Sequence, residues 1–150
     1  MRRRALLSGT LGLGTLSGLA GCSSSSDEGQ ATVDRIVLRS DTGQPEQMDL
    51  TLVYAPRDGS TERPVWGSYD LPESGDTVIV DDFETGPGFY SLTAHSQTHD
   101  NLEVVSTNTL SDDVGNDTLQ FEAVVKRAGD VFANFSNTRD TISIPGYSRD

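Results

Sequence analysis

From Ala31 onward, apolar and polar residues alternate with a period of two, and this restricts the fold more than any other feature of the chain. Met48, Leu50, Leu52 and Tyr54 occupy every second position, separated by Asp49, Thr51 and Val53. A strand gathers such a set on one side, because its successive side chains point to opposite faces. The same spacing recurs in Tyr90, Leu92 and Ala94, and again in Leu119, Phe121, Ala123 and Val125. Further strands are expected at Val33–Arg39 with Ile36 and Leu38 on one face, and at Val65–Leu71. Others are expected at Thr77–Phe83 with Val78 and Val80 facing in, at Leu102–Thr107 and at Val131–Phe135. Ile142–Ile144 reads as a last edge strand closed by Pro145. Between them lie turn formers: Asp41 to Pro45, Asp58-Gly59, Ser74-Gly75-Asp76, Gly86-Pro87-Gly88 and Gly129-Asp130. No stretch of about twelve residues beyond Cys22 carries a helical stripe. The expected fold is therefore all-β, an antiparallel β-sandwich of seven to nine strands spanning residues 31–150.

The first 30 residues follow another logic. A basic start (Arg2, Arg3, Arg4) leads into an apolar run from Ala5 to Ala20, which ends in the small residues before Cys22. That order is the order of an export signal. The run is shorter than the roughly 20 apolar residues a membrane span needs, and Gly9, Gly12, Gly14 and Gly18 dilute it. Arg3-Arg4-Ala5-Leu6-Leu7 resembles a twin-arginine signal, with Arg2 where a serine or threonine is more usual. Leu19-Ala20-Gly21-Cys22 resembles the lipobox of bacterial and archaeal lipoproteins, which implies cleavage after Gly21 and a lipid on the Cys22 thiol. Two hydrocarbon chains on one cysteine suffice to hold a soluble domain at a bilayer, where one chain binds only marginally. Residues 1–21 are thus expected to be removed. Residues 22–30, with Ser23 to Ser26 and no large apolar side chain, read as a flexible tether.

Charge narrows the possible partners. Removal of residues 1–21 takes three arginines and no acids, leaving 8 basic residues against all 23 acidic ones, a balance of −15. Aspartate outnumbers glutamate, and Lys126 is the single lysine. Such a surface repels phosphates, so nucleic acid is not an expected partner. The composition resembles that of secreted haloarchaeal proteins, and a twin-arginine-exported haloarchaeal lipoprotein is what the two resemblances together imply. With Cys22 the only cysteine, no intrachain disulfide is possible.

Gly86-Pro87-Gly88-Phe89-Tyr90-Ser91-Leu92 resembles the start of the sixth strand of immunoglobulin-like domains. The resemblance implies that Tyr90 caps a corner, that Leu92 takes the place of the inter-sheet cysteine, and that Trp66 is the core tryptophan of the third strand. Both cysteines of the antibody pattern are missing, and the strands after Asp117 are unaccounted for. They are additions to that pattern, or they belong to a transthyretin-like alternative.

Several residues are candidates for chemistry. His95 and His99, the only histidines, are spaced i, i+4 beside Asp100. On a helix this would pair two imidazoles for zinc, but the segment reads as a strand end and a turn, and no third nitrogen or sulfur ligand is available. Asp81, Asp82 and Glu84 cluster after one strand, and Asp112, Asp113 and Asp117 share a loop. Calcium takes several oxygens from one loop, yet neither cluster has the EF-hand register. Asn116 and Asn134 head N-x-[ST] sequons and are open to glycosylation, Asn116 being better placed in a loop. No G-x-S-x-G elbow and no phosphate loop occur in the mature chain, Ser68 and Asp70 sit at equal parity on one strand, and no motif asks for a cofactor.

The expectation is a non-enzymatic binding or interaction module, held to the extracytoplasmic face of the cell membrane by lipid on Cys22. Its other partner would be a protein of the envelope. Two alternatives stand beside it: a solute- or metal-ion-binding lipoprotein using the acidic loops or the His95/His99 hairpin, and a small hydrolase.

Overall fold

The computed structural model describes residues 31–111 and 117–137. Eight strands occupy them: β1 (Thr32–Ser40), β2 (Glu46–Pro56), β3 (Glu62–Leu71), β4 (Val78–Val80), β5 (Gly88–Ser96), β6 (Asn101–Asn108), β7 (Thr118–Val125) and β8 (Val131–Asn137). They form two four-stranded sheets, ordered β4-β1-β7-β8 and β3-β2-β5-β6, and no helix occurs among the described residues. The architecture is the expected β-sandwich. The proposed strand at Ile142–Ile144 lies outside the described residues, as do the expected signal, lipobox and tether.

The alternating residues become the core. Met48, Leu50 and Leu52 of β2 and Tyr90, Leu92 and Ala94 of β5 face Ile36 and Leu38 of β1 and Phe121, Ala123 and Val125 of β7 across the inter-sheet space. Burying a side chain of the Val, Leu, Ile or Phe size contributes about 1.5–3 kcal/mol, so these strands supply most of the driving force. Val33 and Ile36 are both buried although their positions differ in parity. The register shift between Val33 and Arg35 explains this: one extra residue in β1 turns the strand over.

One pair departs from the antiparallel expectation. β1 runs parallel to β7, from Thr32 opposite Thr118 to Ser40 opposite Val125, whereas the other pairs are antiparallel. Parallel pairing needs a long return path, and here the chain between β1 and β7 builds the other sheet. The strands after Asp117 are consequently no additions: β7 lies inside its sheet, between β1 and β8.

A second correction concerns Trp66. The immunoglobulin resemblance puts it in the core, but it is 78% exposed. The cause is parity: Val65 and Leu71 are buried on the inner face of β3 and Tyr69 packs against the core, so Trp66, Ser68 and Asp70 point outward. Pro64 falls where β3 slips its register against β2, a position that needs no ladder donor. Glu122 and Val124, expected outward, are buried as well. Arg39 of β1 lies over this part of the sheet, its Nη1 3.3 Å from Glu122 Oε1.

Tyr90 takes the corner role. Its hydroxyl donates to the Gly86 carbonyl and lies 2.9 Å from Thr85 Oγ1, while the Val33 amide donates to it at 3.4 Å. Burial pushes the phenol pKa above its ordinary value of 10.0, against the effect of the Thr85 bond. Tyr54 packs on this ring at 5.0 Å between centroids. A Cβ on Gly88 would lie 2.6 Å from both the Ala55 carbonyl oxygen and the Tyr54 ring, so only glycine lets β5 enter here.

Candidate functional site

The outer face of β3-β2-β5-β6 carries the densest group of functional side chains among the described residues. Register alone places them. Trp66, Thr51, Thr93 and Val104 form one row across the sheet, and Ser68, Asp49, His95 and Leu102 form the next. Leu102 and Val104 are more than half exposed, so the face carries apolar area on both of its edge strands, Trp66 on β3 and this pair on β6, with a polar patch one row from Trp66.

Asp49 is the hub of that patch. Its Oδ1 accepts hydrogen bonds from Ser68 Oγ and, at 2.6 Å, from Gln97 Nε2; its Oδ2 lies 3.5 Å from His95 Nδ1. The bonds from Ser68 and Gln97 hold the Asp49 carboxyl below its ordinary pKa of 3.8. On the far side of the ring, His95 Nε2 is 3.2 Å from Asp100 Oδ1. Asp100 adopts a left-handed backbone conformation (φ +52°) in the β5–β6 turn, one that aspartate tolerates better than most residues. The Ser68 hydroxyl therefore gives its proton to a carboxylate and not to the imidazole, and both ring nitrogens of His95 face carboxylates. Asp70 binds Gln47 Nε2 at 3.0 Å and takes no part.

His99 goes elsewhere. Its Nε2 is 3.0 Å from Oε1 of Glu46, a residue only 3% exposed at the start of β2. Burial favours the neutral Glu46 carboxyl, but hydrogen bonds from Thr98, His99 and Thr42 outweigh it and bring the pKa below 4.5. The two imidazoles thus serve different carboxylates and do not converge. Among the described residues, no three His, Cys, Asp or Glu side chains are grouped to hold a metal ion.

Of the other sequence-derived candidates, Asp117 is exposed just before β7. Asn134 is half-buried in β8, in register with Glu122. Arg3, Arg4, Leu19, Ala20, Gly21, Cys22, Asp112, Asp113 and Asn116 lie outside the described residues. Asp81, Asp82 and Glu84 follow β4 and are exposed.

Two shallow hollows flank Trp66. One, of about 400 Å³, is lined by Asp49, Thr51, Gly67 and Ser68 on the sheet face. The other, of about 370 Å³, lies between the edges of β3 and β4 against Tyr69, Ile79, Asp81 and Asp82. Arg63 reaches over the indole, its Cζ 5.6 Å from the ring centroid, within cation–π range. The immunoglobulin resemblance hid this surface by assigning Trp66 to the core. The odd parity of Val65, Tyr69 and Leu71 was the available signal. The chain matches no protein-family model, and no curated protein is significantly similar to it.

Proposed function

We propose that the chain is a lipid-anchored, extracytoplasmic β-sandwich that acts as a non-enzymatic binding module, presenting the outer face of β3-β2-β5-β6 to its ligand. The observation that carries the reading is Trp66. A large apolar side chain, 78% exposed on an otherwise well-packed sheet, is the kind of feature that marks an interaction site, and Leu102 and Val104 add exposed apolar area on the far edge strand of the same face. Indole is also among the side chains most enriched at binding hot spots. The polar network favours binding over hydrolysis: Ser68 donates to the Asp49 carboxylate, a weak base held below its ordinary pKa, and not to an imidazole. Membrane attachment rests on Leu19-Ala20-Gly21-Cys22 and the tether that follows it.

Each half has its own test. Cys22→Ser should release the chain into the medium or leave it unprocessed; a lipid-modified, membrane-retained variant would refute the anchor. For the face, hydroxyl-radical footprinting on intact cells in their growth medium should modify Trp66 several-fold more slowly than in the purified protein. Equal rates would mean that nothing occupies the face.

A further inference from the structure

We propose that the hollow between β3 and β4 binds a small organic cation of the quaternary ammonium class. The proposal rests on the reading of Trp66 as part of a binding surface and names the ligand. At about 370 Å³ the hollow falls in the range of small-ligand sites, roughly 300–1,000 Å³. Its side-chain walls are of two kinds. Trp66, Tyr69, Pro64 and Ile79 offer aromatic and aliphatic surface, and Asp81 and Asp82 offer negative charge. No other described residue holds either carboxylate in an ion pair. The indole already accepts a cation, the guanidinium of Arg63 at 5.6 Å.

This combination selects among cations. A primary ammonium or a hard metal ion needs oxygen acceptors around it to replace strongly held water. Here rings and aliphatic carbon share the wall with polar atoms, and two carboxylates cannot supply a full shell. A quaternary ammonium has no N–H to satisfy. It gives up weakly held water against the ring and keeps the attraction of Asp81 and Asp82. The balance of −15 on the mature chain adds a long-range field of the right sign. Neutral polar solutes would gain nothing from that field, and anions would be repelled. Arg63 acts as a tethered competitor for the same ring.

Trp66 is the only tryptophan, so emission from the full-length protein reports on the surface around its ring, and the aspartate substitutions assign a change to this hollow. Titration with choline at constant ionic strength should give a saturable change. The uncharged isostere 3,3-dimethyl-1-butanol should bind at least about tenfold more weakly, the range a cation–π contact with partial desolvation provides. Asp81→Asn with Asp82→Asn should weaken choline several-fold. Arg63→Ala should tighten it about threefold to tenfold, an effect that a merely structural role for Arg63 does not produce. Saturation transfer to the choline N-methyl protons should disappear in Trp66→Ala, whose circular dichroism should be unchanged. Equal binding of the two isosteres, indifference to the aspartate substitutions, or no saturation by choline would each overturn the proposal. Failure with choline while Trp66 stays protected on cells removes the ligand class and leaves the binding face standing. Loss of that protection removes both.

Discussion

Along the side where β6 meets β8, the two sheets are tied together through their hairpin turns. Asn101 Nδ2 donates to the Gly129 carbonyl at 3.1 Å, and the His99 ring lies against Gly129 while reaching buried Glu46. Along the opposite side, β3 and the three-residue β4 leave a hollow between their edges, with Trp66 and Ile79 in solvent. Both sides end in aromatic rings and carboxylates, yet only one uses them for cohesion. On the β6/β8 side His99 and Asn101 reach across to buried partners, Glu46 and Gly129. On the β3/β4 side Asp81 and Asp82 stay exposed, and the only cation on Trp66 is exposed Arg63. Stability and availability for a ligand are thus segregated to opposite edges of one core.

Substitutions should respect that division. The largest effect is expected from Gly129→Ala. Gly129 has φ +91°, and a Cβ there would lie 2.5 Å from His99 Nδ1, so strain and displacement of the ring together should cost about 2–3 kcal/mol in chemical denaturation. A loss below about 0.5 kcal/mol would show that the β6/β8 side is not tied.

Glu46→Gln comes next. Removing a buried, hydrogen-bonded charge should cost about 1–2 kcal/mol at neutral pH. The folded Glu46 carboxyl lies below its ordinary pKa of 4.5, so the unfolded chain binds more protons in that window and stability falls as pH drops through it. The wild-type protein should therefore lose stability below about pH 4.5 more steeply than Glu46→Gln, as measured by denaturant midpoints at pH 3 to 7. Parallel curves would mean that the Glu46–His99 contact contributes nothing.

Trp66→Ala should have the smallest effect on stability, within about 0.5 kcal/mol of wild type, because its ring buries little against the core. If that substitution unfolded the domain, Trp66 would be a structural residue and the two sides would not differ.

Much of this was legible in the chain, and the pattern of success has a physical cause. The strands at Met48–Tyr54, Phe89–His95 and Leu119–Val125 are readable because alternation is a local property, set by side-chain direction between neighbours. The turns are readable for the same reason, with Gly43, Gly59, Gly75 and Gly129 at positive φ where glycine tolerates it. The position of Trp66 was equally local: Val65, Tyr69 and Leu71 share the parity opposite to it, and resemblance to another fold obscured that.

The sequence by itself determined the all-β class, the core faces of the main strands and the corner tyrosine, since these depend on residues two to five apart. The tertiary structure alone decided that β1 runs parallel to β7, that His95 meets Asp49 across 46 positions, and that His99 meets Glu46 across 53. Those contacts follow from strand order and register, which arise when whole sheets choose partners. No spacing along the chain encodes them, and the hollow beside Trp66 likewise exists only because β3 and β4, strands of different sheets, meet at one edge.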